Sequence, residues 1–302
     1  MHKIFIAPGD PFGVGPEILI KSLSKIKLTS FEIIIGSDPD FFIKKTKEFK
    51  INLDNKNISF DGIYKIKKGE KNYPTLKGAK FSIESLNWAI EKVKKEKGVL
   101  LTGPVSKEMI RKLIPNFLGQ TEYICEKINK DPSEVIMSFY FKDKFLGLFT
   151  QHIPLKEVFK FIDPAFYLKR LRVFKREIKK IIRKNPKIAL LSLNPHGEEF
   201  GEEEKFLKNY IKFKKNLKGF FPSDSFFGYS LYKDFDAIFA FYHDQGTIPS
   251  KILGPSVHLS LGLPFLRISP DHGPAYNMKG KANYKSILNC FKFIKKYFTL
   301  FE

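Results

Sequence analysis

The stretch KIFIAPGDPFGVGPEI (3–18) decides the fold: a short apolar run, a turn of Gly, Pro and Asp, then a proline where a first helical turn tolerates one. The pattern returns along the chain. The runs FEIIIG (31–36), GVLLTG (98–103), KIALLSL (187–193) and DAIFAFY (236–242) alternate with longer amphipathic stretches. After Thr75, apolar residues at Phe81, Leu86, Ala89, Ile90 and Val93 keep close to helical spacing until lysines and Gly98 end the segment. This alternation predicts an α/β fold with helices packed on a parallel or mixed sheet. SEVIMSFYFKDKFLGLFTQ (133–151) reads instead as two strands around a Lys-Asp-Lys turn, and the break between 119 and 150 predicts a second subdomain. A length of 302 residues suits about two domains with substantial cores.

No run approaches the roughly 18 apolar residues needed to cross a bilayer. The N-terminus MHKIFIAPGD has no small-residue cleavage site, so a soluble chain without a signal peptide is expected. Cys125 and Cys290 form no CxxC pair, which argues against a disulfide framework or a cysteine-rich zinc site and fits a reducing cytoplasm. The 53 lysines and arginines against 32 acids leave a formal charge of +21, which would suit a nucleic-acid binder. The lysines are spread, however, over helix faces such as KREIKKIIRK (175–184) and EKVKKEKG (91–98), with no basic arm beside stacking aromatics. They read as solvated faces, and they still welcome an anionic substrate.

Gly, Pro, Asp and His gather after nearly every strand candidate: GDPFGVGPE (9–17), TGPVSKE (102–108), NPHGEEFG (194–201), YHDQG (242–246) and PDHGPA (270–275). In open α/β sheets the ligand crevice lies beyond the carboxyl ends of the strands, so these loops are expected to point into one place. His152 follows GLFTQ, His196 sits in NPHG, and His243 directly follows DAIFAFY. Three neutral imidazoles suit zinc or another borderline divalent metal, with a coordination position left for a substrate oxygen. A loop histidine taken singly is more often structural, and no HExxH spacing joins these three. Asp224, Asp244 and Asp271 can ligate, act as a base or orient a histidine, or merely close turns. Lys251, and Arg267 inside the apolar run LGLPFLRIS, are expected to grip a phosphate or carboxylate, because a guanidinium among apolar neighbours needs an anionic partner. GDPFGVGPEI fails as a dinucleotide fingerprint, since Ile18 stands three residues after Gly15 where GxGxxG needs glycine. A tight strand-to-helix turn is its plain reading.

Taken in order, GDPFGVGPEI, TGPVSKE, GQTEYI (119–124), QHIPL (151–155), NPHGEEFG, FPSDSFF (221–227), YHDQGTIPSK (242–251) and LGLPFLRISPDHGPA (261–275) span nearly the whole chain. Together they resemble the 4-hydroxythreonine-4-phosphate dehydrogenase family of pyridoxal phosphate biosynthesis. GDPFGVGPE alone resembles the wider isocitrate and isopropylmalate dehydrogenase superfamily. The resemblance implies a two-domain α/β homodimer of that superfamily's fold, with the active site in an inter-domain cleft. Residues 1–118 with 247–302 would form the first domain, and 119–246 the second, which carries the dimer interface. One divalent metal per site is implied, zinc first, with magnesium, cobalt or manganese as alternatives. His152 and His196 of one subunit and His243 of the other would hold it.

The implied reaction is NAD(P)-dependent oxidation and decarboxylation of 4-phosphohydroxy-L-threonine to 3-amino-2-oxopropyl phosphate, in the cytoplasm. Gln120, Thr121, Lys251, His258 and Arg267 stand at substrate-binding positions of the family, while Asp244, Asp224 and Lys251 are the candidates for proton handling. In DHGPAYNMKGKAN (271–283), His272, Gly273, Ala275, Gly280 and Asn283 would line the adenosine half of the nucleotide. Neutral Asn277 with Lys279 nearby leaves NAD and NADP both open. Gln120 replaces a family histidine, His258 replaces an asparagine, and Glu198, Glu199 and Phe200 alter the stretch after NPH. The alternative reading is therefore a dehydrogenase of a four-carbon sugar-acid phosphate, erythronate or threonate 4-phosphate. A remote one is a basic nucleic-acid-binding protein on a degenerate enzyme fold.

Overall fold

The computed structural model describes residues 1–53, 57–63, 65–66, 73–278 and 280–298. From the N-terminus, β1 (His2–Ala7), α1 (Gly15–Lys25), β2 (Phe31–Gly36), α2 (Pro39–Glu48), β3 (Ile58–Asp61), α3 (Leu76–Glu96) and β4 (Val99–Thr102) alternate, with β1, β2 and β4 on the expected apolar runs. Two short helices follow, α4 (Lys107–Arg111) and α5 (Gln120–Lys127). The chain continues through β5 (Ile136–Phe141), β6 (Lys144–Leu148), α6 (Leu155–Val158), α7 (Pro164–Ile182), β7 (Ile188–Leu191), α8 (Glu202–Lys208) and β8 (Leu217–Phe221). It ends with α9 (Ser223–Gly228), β9 (Ala237–Ala240), α10 (His243–Leu253), β10 (Val257–Leu261), β11 (Leu266–Pro270) and α11 (Lys285–Tyr297).

Two compact units divide the chain, Met1–Lys130 with Leu263–Glu302, and Asp131–Gly262. In the first unit the strand order is β3-β2-β1-β4-β11, every pair parallel. Ile4, Phe5, Ile6, Ile33, Ile35, Leu100 and Leu101 are all buried. Strands covered on both faces need apolar residues on both, which is why these segments read as continuous runs. The Thr75 hydroxyl caps α3 by accepting the Gly78 N–H at 2.9 Å, and the helix buries Phe81, Leu86, Ala89, Ile90 and Val93 along one stripe. Removing that cap would cost about 1 kcal/mol.

In the second unit the order is β10-β5-β6-β9-β7-β8. The pairs β10–β5 and β5–β6 are antiparallel, the rest parallel. The expected turn between the two strands is the pair Lys142 and Asp143, with φ of 43° and 61°, the left-handed geometry that a two-residue hairpin loop demands. Rings of Phe149, Tyr167, Phe174, Phe239 and Phe241 meet at centroid distances of 5.0–5.9 Å beneath β6 and β9. Each such pair adds about 1 kcal/mol beyond its buried area.

The unit boundaries differ from the expected 118/119 and 246/247. Helix α5 belongs to the first unit because the Tyr123 hydroxyl donates to Asn87 Oδ1 at 2.8 Å and Gln120 Nε2 to the Gly103 carbonyl at 3.0 Å. Helix α10 leads into β10, which pairs with β5, so both belong to the second. Strands β3 and β8 end their sheets, are half-exposed and lack a clean apolar pattern; β10 (VHLSL) mixes polar residues into its run. None of the three stands out as an apolar run. No helix among the described residues is long and apolar enough to cross a membrane, and Cys125 and Cys290 are buried and not joined in a disulfide.

Candidate active site

Strands β6 and β9 are parallel neighbours with Leu148 beside Ala240, so the loops leaving them start side by side. Backbone pairing runs on past the strands: Phe149 N–H donates to the Ala240 carbonyl at 2.8 Å and Thr150 N–H to that of Phe241 at 2.9 Å. Two residues further along each segment stand His152 and His243, their ring centroids 5.5 Å apart and their planes tilted by 39°. Asp244 Oδ1 lies 2.7 Å from His243 Nδ1. A carboxylate there keeps the proton on Nδ1 and presents the Nε2 lone pair outward. Two imidazoles with a carboxylate behind one are a donor set that fits a borderline divalent metal.

His196 follows β7 in a left-handed backbone conformation, φ 57°, with its ring edge-on to Phe200 at 5.4 Å. Among the described residues no three His, Cys, Asp or Glu side chains of a single chain are grouped so as to hold a metal. One chain therefore brings together His152 and His243 without assembling the expected trio. The resemblance assigned these two histidines to different subunits; here they meet within one.

Of the aspartates, Asp244 touches an imidazole, whereas Asp224 is exposed at the start of α9 and accepts from Ser225 Oγ at 3.3 Å. Lys251 lies on α10 at helical spacing from Thr247 and His243, and Thr247 Oγ1 is 3.4 Å from His243 Nδ1, so the three form one stripe. His258 is half-buried on β10, its ring 5.5 Å from that of Phe139.

Two supporting residues were not among those expected from the sequence. Buried Gln245 accepts from the Phe241 N–H at 2.7 Å and donates to the Ser192 carbonyl at 2.5 Å and to Ser223 Oγ at 2.8 Å, tying together the ends of β9, β7 and β8. Glu204, fully buried on α8, accepts from the Asn194 backbone N–H at 2.8 Å and from Asn194 Nδ2 at 2.9 Å, closing the loop that carries His196. The run GEEEK reads as a solvated helix start. Only the fold-back of residues 194–201 buries one of its three acids.

The first unit holds the remaining residues. Arg267, buried on β11, donates from Nη2 to Thr102 Oγ1 at 2.7 Å, at the end of β4. Burial pushes its guanidinium down to about 10, partly offset by Glu122 and Cys290. It stays cationic at neutral pH, and a charge this poorly solvated is a strong receptor for an anion. Gln120 and Thr121 open α5, with the Gln120 amide on the Gly103 carbonyl.

The glycine loop after β1 and the loop after β11 are locked to each other. Val14 N–H donates to the Pro274 carbonyl at 2.9 Å, and a Cβ on Gly13 would stand 2.8 Å from that oxygen, so only glycine fits. Tyr276 donates its hydroxyl to buried Asp10 Oδ2 at 2.7 Å; burial and then the Asp10 charge push its pKa up, so it remains a donor. Gly280 N–H donates to Glu17 Oε2 at 2.6 Å. Along this braced loop, Gly273, Ala275, Gly280 and Asn283 are exposed. His272 lies 2.7 Å from Ser286 Oγ through Nε2, and Asn283 Oδ1 accepts from Lys285 N–H at 3.0 Å. Lys279 lies outside the described residues. An exposed loop without a carboxylate between Gly273 and Asn283, held rigid from beneath, fits the polar half of a nucleotide.

Known proteins bear on this arrangement. The 4-hydroxythreonine-4-phosphate dehydrogenase of Sulfurihydrogenibium sp. (strain YO3AOP1) is 34% identical over 301 residues, covering 93% of each chain. The protein of the same name from Wigglesworthia glossinidia brevipalpis is 33% identical over 310 residues, covering 92% of this chain and 91% of its own. The crystal structure of 4-hydroxythreonine-4-phosphate dehydrogenase from Klebsiella pneumoniae has a TM-score of 0.80 at 22% identity, over 97% of this chain and 98% of its own, a likeness of fold. Residues 14–294 match the family described as "Pyridoxal phosphate biosynthetic protein PdxA". With that match reaching nearly end to end, and relatives above 30% identity over almost the full length, the chain belongs to the PdxA family of pyridoxal phosphate biosynthetic proteins.

Proposed function

We propose that this protein is a metal-dependent, NAD(P)-linked 4-hydroxythreonine-4-phosphate dehydrogenase, working in the cytoplasm as a homodimer in pyridoxine 5'-phosphate biosynthesis. The observation that carries the reading is the His152–His243 pair with Asp244 behind it, at the carboxyl ends of neighbouring parallel strands in a member of this family. His152 and His243 would hold one divalent metal, zinc first, and His196 would complete the set in the homodimer. Ile248 and Ile252, 55% and 78% exposed on α10 beside the His243 stripe, offer an apolar face for the second subunit to cover.

A divalent metal held by these histidines would supply Lewis-acid polarisation of the hydroxyl to be oxidised, and a bound nicotinamide would supply the hydride acceptor. Asp244 keeps the His243 ring oriented and its Nδ1 protonated. Arg267 and Lys251 bind the phosphate and carboxylate of the substrate, with Gln120, Thr121 and His258 as further contacts. The braced loop presents His272, Gly273, Ala275, Gly280 and Asn283 to the adenosine half of NAD or NADP.

The test is reduction of each nucleotide with 4-phosphohydroxythreonine and, separately, with 4-phosphoerythronate, with and without a chelator. Turnover of the hydroxythreonine phosphate that stops on chelation, and is lost with bound metal in His196→Ala, is expected. Turnover of the sugar-acid phosphate alone would move the assignment to the alternative substrate, and no turnover of either would overturn it.

A further inference from the structure

The loop TGPVSKE, which leaves the end of β4, carries a lysine that the dehydrogenase reading leaves without a task. Of the cations on or directly after α4, Arg111 donates from Nε to the Phe117 carbonyl at 3.1 Å, and Lys112 lies 3.8 Å from Glu108. Lys107 makes neither a hydrogen bond nor an ion pair among the described residues. Its place is nevertheless set. The Pro104 carbonyl accepts from Asp10 N–H at 2.9 Å, and Ser106 Oγ caps α4 by accepting from Met109 N–H at 3.3 Å, so the backbone on its N-terminal side is held. The Arg111 contact turns the chain back, and Gln120 Nε2 fastens the return to the Gly103 carbonyl at 3.0 Å. Residue 119 is thereby laid against the lysine. A Cβ built on Gly119 would stand 3.4 Å from Lys107 Nζ and 3.7 Å from its Cε, which puts the ammonium beside the residue that precedes Gln120 and Thr121.

Arg267 reaches the same corner of the first unit from β11, through its bond to Thr102 Oγ1 one residue before Gly103. Its charge is already partly answered. Glu122 Oε2 would lie 2.8 Å from the same Gly119 Cβ, and its carboxylate acts on the buried guanidinium. One guanidinium fork matches a carboxylate, whereas a phosphate monoester at neutral pH brings about −1.5 to −2 charge and three acceptor oxygens. A partly compensated arginine leaves such a group short of positive charge, and an ammonium with three rotatable donors and no carboxylate of its own supplies it. We propose that Lys107 is a further substrate-binding residue, taking the phosphate of the phosphorylated hydroxy acid together with Arg267; this rests on the dehydrogenase reading above.

Calorimetric titration of the metal-loaded protein with 4-phosphohydroxythreonine, without nucleotide so that nothing turns over, tests it. Lys107→Met should bind this substrate about five- to tenfold more weakly than wild type, the loss of one charge-assisted contact in an open site. Lys107→Arg, which keeps the charge, should stay within about threefold. The control Lys112→Met removes a charge from the far end of the same helix and should stay within about twofold. Affinity for 4-hydroxythreonine, which lacks the phosphate, should be the same in Lys107→Met and wild type. Lys107 is exposed, so Lys107→Met should also keep the wild-type melting temperature, and its KM for the nucleotide should not change. Equal weakening for the unphosphorylated compound, equal weakening in Lys112→Met, a lowered melting temperature, or an effect confined to the nucleotide KM overturns the proposal. Wild-type binding together with an indifferent Lys107→Met overturns this proposal alone, whereas failure of the wild type to bind 4-phosphohydroxythreonine overturns the dehydrogenase reading and this with it.

Discussion

Replacing Gly201 by alanine tests whether the His196 loop is held from within. Gly201 sits just before α8 at φ −97° and ψ 109°, a backbone alanine adopts without strain. A Cβ there would lie 1.8 Å from Glu204 Oε2 and 2.7 Å from Asn194 Nδ2, so the carboxylate must leave its place. Moving it gives up two hydrogen bonds to a buried charge, about 1.5–3 kcal/mol each. Against this, alanine restricts the unfolded chain and returns about 0.4–1 kcal/mol. The net loss should be roughly 2–5 kcal/mol. The assay is urea unfolding of Gly201→Ala beside Gly228→Ala, whose added Cβ meets nothing within 4 Å. Because Gly201 N–H also closes on the Gly197 carbonyl at 2.9 Å, the loop carrying His196 should loosen and metal affinity should fall with stability. A Gly201→Ala protein within about 0.5 kcal/mol of wild type, the usual scatter of neutral surface changes, would refute the reasoning, as would an equal loss in Gly228→Ala.

Three further outcomes are expected. Arg267→Met should raise the KM for the phosphorylated substrate at least tenfold while leaving stability in urea unchanged or higher, since a buried guanidinium pays desolvation that a methionine of similar volume does not; a large stability loss would make Arg267 structural. Asp244→Asn should weaken metal binding about 10- to 100-fold and Asp224→Asn should not, as read by calorimetric metal titration, because only Asp244 orients a histidine. Asp61 is held below the usual carboxylate range by the Trp88 indole N–H, which donates at 2.9 Å, and by Lys92. A depressed folded-state value means stabilisation present above the unfolded value of about 3.9 and lost as pH falls through the folded one. Fluorescence of Trp88, the sole tryptophan, should therefore show Asp61→Asn less stable than wild type at neutral pH, with the gap closing in acid; a gap constant with pH would refute it.

Much of the frame is legible in local sequence because its signals are local. Strands β1, β2 and β4 must be apolar on both faces, Thr75 and Gly98 bracket one helix, and Lys142-Asp143 makes a hairpin whatever lies around it. The placement of loops rich in Gly, Pro, Asp and His after strands follows from the same alternation. Asp244, one residue from His243, is likewise a neighbour by covalent geometry.

What the local pattern does not contain is partnership between distant residues. His152 and His243 are 91 positions apart and meet because β6 pairs with β9, a choice made by the packing of Phe149, Phe239 and Phe241 around Tyr167. The side taken by α5 depends on Tyr123 reaching Asn87, 36 residues away. Glu204 belongs to a run of three acids and becomes a buried anchor only when the 194–201 loop folds over it. Residue type and spacing determined the elements and the kind of chemistry this protein carries. Long-range packing alone decided which two histidines meet, which carboxylate closes a loop and which stays in water, because desolvation and hydrogen bonding act on neighbours in space.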